Sequence, residues 1–386
     1  NATTQWKLGR TSMGVEFRNE GVRSNVLGKP MKEPQDVPFE KEGQYLKSDN
    51  RSNISYFLEH NVLLRRFTLS VGVLANYNSA LNEGIHFYPG IDASYRIGDN
   101  FRLYGSWNRA LRMPTFTDLY YEGKTNKGNP DLKPEESEAF EVGLKYNTYF
   151  LRAHIAGFYR KGKNMIDWVK EKPEDIWESR NLTKVDNLGF ETNLSLLPRE
   201  LGNKRFFIRK IELGYAFIHQ DKDSEGYISN YALDYLKHKF TAQLSHSIWK
   251  GFSATWYVRW QDRAGSYTKY ENLKPAYEEP YAPYCLVDMK VNWEYQRLNL
   301  YAELNNLLNS TYYDLGNIPQ VRGAGCLPVL HKRIFPGMFV SHHVVTVQSC
   351  NLTVRVQRQI ADTVVNLHLA PQRHGCCLHT PVHLMG

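Results

Sequence analysis

Apolar and polar side chains alternate along this chain over runs of ten residues or more, and that pattern limits its possible folds more than any other feature. In 67–77, Phe67, Leu69, Val71, Val73, Ala75 and Tyr77 share one face, while Thr68, Ser70, Gly72 and Asn76 share the other. In 252–260, Phe252, Ala254, Trp256, Val258 and Trp260 oppose Ser253, Thr255, Tyr257 and Arg259. In 285–295, Val287, Met289, Val291, Trp293 and Tyr295 oppose Asp288, Lys290, Asn292 and Glu294. A period of two is that of a β-strand with one greasy face. Strands in soluble proteins average ~5–6 residues. A tilted strand that crosses a bilayer needs about 9–11, which these runs supply.

Thirteen such strands are predicted, over 5–19, 50–61, 66–77, 85–97, 101–110, 137–146, 149–160, 183–197, 206–219, 236–248, 252–263, 284–295 and 297–308. Brief connections fall at 62–65, 98–100, 147–148, 198–205, 249–251 and 296, and longer ones between them at 20–49, 78–84, 111–136, 161–182, 220–235 and 264–283. Short and long therefore alternate, which puts all tight turns at one end and all long loops at the other. Outer-membrane barrels are built this way. A soluble sandwich or propeller also has many strands, but shorter ones without the two-ended order. The expected fold is all-β, a transmembrane antiparallel up-and-down β-barrel. No run of about 18 apolar residues marks a membrane helix. Aromatics make up 13% of the chain, in keeping with rings that sit between oil and water.

The stretch RALRMPTFTDLYY (109–121) followed by GNPDLKPEESEAFEVGLKY (128–146) resembles the TonB-dependent outer-membrane receptors. The matching positions are Arg112, Pro114, Asn129, Pro130, Leu132, Lys133, Pro134 and Glu135. AELNNLLNSTYYDLGNIPQ (302–320) is similar to that family's penultimate strand and last loop, and GVEFRNEGVRSNVLGK (14–29) to mid-barrel segments of vitamin B12 and siderophore receptors. The resemblance implies a barrel of about 22 strands around a plug. Residues 1–320 would then be a partial barrel of about 13 of those strands, with the plug domain absent from this stretch and the missing parts preceding Asn1. The physical content of the motif is modest. Pro130 and Pro134 remove N–H donors and keep the stretch out of a ladder, while Asn129 and Asp131 suit turns. The motif is expected to position backbone rather than bind cargo.

After Gln320 the character changes. Residues 321–386 hold only Phe335 and Phe339 as aromatics, four of the five cysteines (Cys326, Cys350, Cys376, Cys377), and six Lys or Arg against one acid, Asp362. Adjacent Cys376 and Cys377 have poor spacing for zinc, and a basic extension could meet polyanions. The expectation is a non-family tail, frameshifted or disordered.

No catalytic constellation is present, so no enzyme and no cofactor are expected. Carboxylates such as Asp288 and Glu294 alternate with Lys290 as in a hydrated lumen. The near-balanced charge of the body argues against nucleic acid. Asp221, Asp223 and Glu225 have oxygen-ligand spacing but lack the rest of a calcium loop, so they read as a solvated turn and no metal site is expected. Ligand contact belongs on the long loops, which a rigid scaffold presents. Candidates there are Tyr120, Tyr121, Trp168, Trp177, Tyr227, Tyr231, Tyr267, Tyr270 and Tyr277. The resemblance implies outer-membrane lipid as surroundings, a small metal chelate (siderophore iron) or corrinoid as cargo, and a TonB-type energy complex acting through the plug. A passive porin-type channel is the alternative.

Overall fold

The computed structural model describes residues 1–40, 42–81, 84–172, 174–202, 204–223, 226–229, 235–271, 274–296 and 298–313, together with the backbone of 325–332, 356–360 and 363–367. The chain forms β1 (Ala2–Trp6), β2 (Gly9–Ser24), β3 (Lys29–Asp36), β4 (Gln44–Leu63), β5 (Phe67–Asn78), β6 (Ile85–Ile97) and β7 (Phe101–Arg112). A single turn of helix, α1 (Phe116–Tyr120), precedes β8 (Asn126–Lys127), β9 (Glu135–Asn147), β10 (Leu151–Lys170), β11 (Trp177–Leu196) and β12 (Ile208–Asp223). Then come β13 (Ile228–Ser229), β14 (Leu236–Trp249), β15 (Phe252–Arg263), β16 (Ser266–Glu271), β17 (Lys274–Pro280), β18 (Tyr284–Tyr295), β19 (Leu298–Asn305) and β20 (Gly325–Lys332). All but β16 and β17, which pair with each other, join one sheet of 18 strands. The backbone segments β21 (Val356–Ile360) and β22 (Thr363–Leu367) also pair only with each other.

Each of the thirteen predicted strands is present, and the long neighbours pair antiparallel in chain order. Two expectations need correction. The strand predicted at 5–19 is a hairpin, β1 and β2, turning at Lys7 and Leu8. The connections predicted at 20–49 and 161–182 are largely strand: β10 and β11 are 20 residues each, and they stay paired from Leu151–Leu196 up to Val169–Glu178. The backbone there keeps its ladder beyond the length a bilayer needs, because two wet faces satisfy a β-hairpin as well as one dry face does.

Residues paired across strands share a face, so register carries the alternation around the wall. Glu59 pairs with Gly72, Gly72 with Gly90, Gly90 with Asn108, and Asn108 with Ala139, all on one side. The opposite side is an apolar surface that includes Val15, Val71, Phe87, Val142, Ile155 and Leu188, all exposed. A continuous apolar surface of this extent is stable against hydrocarbon and not against water. The polar side carries ion pairs such as Lys290–Glu303 at 2.6 Å and Lys210–Glu212 at 2.8 Å.

Glycine on the polar side makes room for rings from the next strand. A Cβ on Gly143 would lie 2.5 Å from the Tyr104 ring, and one on Gly189 2.5 Å from Phe158. At the tight-turn end, Gly251 has φ +85° and lies so close to Glu294 O that a Cβ would sit 2.3 Å away. Among the described residues β1 and β20 are each paired on one side only, so the sheet does not close.

Candidate functional site

The segment between β7 and β9 is fastened down at several points. Pro114 ends β7. Thr115 caps α1: its hydroxyl accepts from Asp118 N at 3.1 Å, and the Asp118 carboxylate accepts from Thr115 N at 3.0 Å, a reciprocal cap that closes the helix start. Asn129 Oδ1 accepts from Asp131 N at 3.0 Å, forming the turn its residue types favour. Lys133 N donates to Asn181 Oδ1 at 2.8 Å, and Asn181 Nδ2 donates back to Lys133 O at 2.9 Å and to Asn164 O at 2.7 Å. Leu132 is buried, Pro134 is half-buried and Pro130 is exposed. Arg112 grips Glu135 with two bonds of 2.5 Å, and Glu135 also accepts from Ile166 N at 2.8 Å.

On the other flank, Arg51 donates to Pro114 O at 2.6 Å and to Glu20 at 2.7 Å, and its guanidinium lies 4.9 Å from the Phe116 ring centre. Tyr120 donates to Asp49 at 2.6 Å. Burial and then that bond push its phenol pKa upward. The eight motif residues thus lie along a seam that joins β4 to β9, β10 and β11.

Beside this seam the polar face of β2, β4, β5, β6 and β7 encloses a cavity of about 480 Å³. Glu16, Arg18, Arg51, Asn53, Ser55, Leu74, Asn76, Tyr88, Arg109 and Arg112 line it, and residues 110, 111 and 113 complete it. Every one of these positions is on the order of ten residues from its strand's tight turn. A tilted strand needs about that many to cross hydrocarbon, so the cavity sits at the outer rim of the apolar band. A second cavity, of about 620 Å³, lies closer to the tight turns between β9 and β18. Lys145, Arg152, His154, Glu212, Gln243, Tyr257, Arg259 and Asp288 line it.

The aromatic candidates fall into three places. Tyr121 meets Trp168 edge-on, ring centres 6.4 Å apart, and Lys170 lies 4.5 Å from the Trp177 ring centre. Trp168 and Trp177 stand on β10 and β11 rather than in a loop. Tyr227 accepts from Arg180, whose guanidinium is also 5.0 Å from its ring centre. Tyr267 stacks on Tyr313 at 4.7 Å and approaches Tyr281 at 5.4 Å, while Tyr277 is exposed on β17. Tyr231 and the side chain of Tyr270 lie outside the described residues. None of these rings lines either cavity.

Asp221 pairs with Lys184 at 3.1 Å, Glu225 is outside the described residues, and among those described no group of three His, Cys, Asp or Glu could hold a metal. Sequence reasoning missed the rim cavity. Alternation does place Tyr88 and Asn53 on the polar face, but nothing in the sequence says that they meet.

Residues 1–307 match the family described as TonB dependent receptor-like, beta-barrel. The chain belongs to that family. That family is one of receptor barrels of the bacterial outer membrane, a non-enzymatic kind. A vitamin B12 transporter of Vibrio vulnificus is 26% identical in an alignment of 225 residues that covers 44% of this chain and 36% of the relative. An iron-regulated outer membrane virulence protein of Vibrio cholerae is 26% identical over 226 residues, 52% of this chain and 33% of the relative. The crystal structure of a ferric enterobactin receptor of Pseudomonas aeruginosa shares the fold, with TM-score 0.60 at 19% identity, over 83% of this chain and 49% of that one. The chain thus spans about a third of the length of the curated relatives it matches.

Proposed function

We propose that this chain is barrel wall of a receptor that takes up a scarce metal chelate, siderophore iron or cobalamin, across the outer membrane. Cargo binds at the long-loop end, and a TonB-type energy complex drives its release inward through a plug. The observation that carries this reading is the rim cavity. It is a polar cup on the inner wall at the height where cargo arriving from outside would first meet the barrel, bordered by the stapled seam of residues 112–135. The vitamin B12 and iron names of its relatives support the cargo class. The family motif positions that seam, and the aromatics on the β10–β11 extension and the β16–β17 hairpin offer rings to a chelate from above.

Uptake of labelled cobalamin and ferric chelates into cells carrying the full gene tests the proposal. Accumulation of one cargo should be saturable and should cease when the proton gradient is collapsed. Uptake that persists without energy, with a rate linear in cargo concentration, belongs to a passive pore and overturns it.

A further inference from the structure

Between β7 and β9, residues 115–129 fold into a lobe of their own. Main-chain bonds run from Gly128 N to Tyr121 O at 2.6 Å, from Asn129 N to Asp118 O at 2.9 Å and from Gly123 N to Asn126 O at 2.9 Å, so α1 and the returning chain hold each other. Gly128 lets them meet, since a Cβ there would lie 2.8 Å from the backbone of Leu119 and Tyr120. A loop closed on itself in this way is a compact body. Asp49 and Arg51, which touch it, share the parity of Glu59 on β4, so the lobe lies over the lumen face of the wall and not outside it.

The two sides of the lobe are held differently. Toward β11 the hold is main chain. Asn126 and Lys127 pair in parallel with Trp177 and Glu178, Trp177 N donates to Thr125 O at 2.9 Å, and Asn181 bonds both N and O of Lys133. Toward β4, among the described residues, no main-chain bond reaches the lobe. Side chains alone hold it there. Tyr120 donates to Asp49, Arg51 donates to Pro114 O and covers Phe116, and Lys47 lies 3.9 Å from Glu122.

Each of these β4 residues also has a partner outside the lobe. Asp49 accepts from Asn50 N at 2.9 Å and lies 3.9 Å from Lys29. Arg51 holds Glu20 at 2.7 Å, and Lys47 reaches Val26 O at 3.5 Å. Phe116 and Tyr120 stack on one another within the lobe, ring centres 6.5 Å apart. Parting the lobe from β4 therefore leaves no wall charge alone, and water at the rim replaces the lost bonds at small net cost. Parting it from β11 would break a ladder. A body held by replaceable contacts on one side and by main chain on the other has a latch and a hinge.

We propose that residues 115–129 are a flap, hinged on β11 and latched to β4 by Tyr120 and Arg51, which opens and closes the lumen side of the rim. The rim cavity, lined by Arg51, Arg112 and Met113, adjoins the latch. The gating of cargo rests on the receptor reading above; the hinge and latch do not. The test uses the whole receptor. Spin labels on cysteine pairs at 32 and 124, and at 124 and 174, in a protein otherwise free of cysteine, report the flap's distance from the β4 side and from the β10–β11 tip. Tyr120→Phe should raise the population with a long 32–124 distance about tenfold and leave the 124–174 distance unchanged. No change in either distance, or equal broadening of both, overturns the hinge and latch. For the gate, p-benzoylphenylalanine in place of Tyr120 is photocrosslinked to β4 in intact cells supplied with cyanocobalamin or a ferric tris-catecholate. Irradiation should stop the uptake of whichever probe entered before it. Equal uptake before and after a crosslink to residues 44–63 overturns the gate and leaves the receptor reading standing. Failure of both probes to enter even wild-type cells removes the receptor reading and the gate with it, while the hinge still stands or falls on the labels.

Discussion

The two cavities on the inner wall are of similar size and both are polar, yet they differ in how their groups are used. Against the lower one, Tyr104, which is not part of its lining, donates to Glu141 at 2.6 Å and bonds the lining His154 Nε2 at 2.8 Å, while the lining Lys145 lies 4.7 Å from the Tyr104 ring centre. Asp288 accepts from Asn306 N at 2.7 Å. None of the shielded, partnerless atoms among the described residues belongs to its lining. The rim cavity is the smaller, and its lining residues include two such atoms, Asn53 Nδ2 and the Tyr88 hydroxyl oxygen. A polar lining is what any water-facing barrel wall has. What separates the two cavities is how fully the wall around each has satisfied its own groups.

The largest effect should come from the residue that joins the rim cavity to the seam. Arg51 is 8% exposed and holds both Glu20 and Pro114 O. Arg51→Met leaves the Pro114 carbonyl without its donor and the Glu20 carboxylate with Arg18, at 2.8 Å, as its remaining cation. Removing one partner of a buried pair costs about 3–5 kcal/mol. Denaturant unfolding of the receptor in micelles should show a loss near the lower figure, with faster proteolysis within 113–134. A loss below about 1 kcal/mol would mean that the seam does not depend on this contact.

A pair of matched substitutions puts the comparison itself at risk. Tyr104→Phe removes a hydroxyl with two partners and should cost about 1–2 kcal/mol of stability. Tyr88→Phe removes a hydroxyl with none and should leave stability within about 0.5 kcal/mol. Equal stability losses in the two variants would erase the distinction between used and unused groups.

Much of the wall was legible because hydrocarbon imposes a strict pattern on any strand that crosses it. Val71, Val258 and Val291 declare their face through their neighbours Gly72, Tyr257 and Asn292. Above the membrane that pressure disappears. Residues 161–182, with Gly162, Asn164 and a run of mixed charge, read as loop, although Met165 pairs with Leu182 and Trp168 with Ser179 in a continuing ladder. The motif segment was legible as a positioning element because its prolines and turn formers act locally. Its anchors were not, since Asn181 and Arg51 are distant in sequence. The rim cavity was hidden for a related reason. Alternation tells which face a residue occupies but not its height, and only the register of five strands brings Asn53, Tyr88 and Arg109 to one level.

The smallest effect concerns the β16–β17 hairpin. Lys269 and Glu279 form an ion pair at 2.8 Å. The Lys269 ammonium, against the opposing effect of burial and with help from Tyr267, holds the Glu279 carboxyl below its ordinary 4.5. A depressed carboxyl pKa stabilises the fold above the unfolded value, and that contribution is lost as pH falls through the folded value. Burial, then the bond to Glu279, pushes the Tyr267 phenol up to about 12. Its contribution is present below its ordinary 10.0 and lost as pH rises through about 12. A spin label at position 277, exposed on β17, should therefore gain mobility as pH falls below the ordinary carboxyl value of 4.5, and the acid step should be absent in Glu279→Gln. Tris-catecholate affinity that tracked the acid step of the hairpin would place the cargo's main contact on β16 and β17 and take it away from the wall.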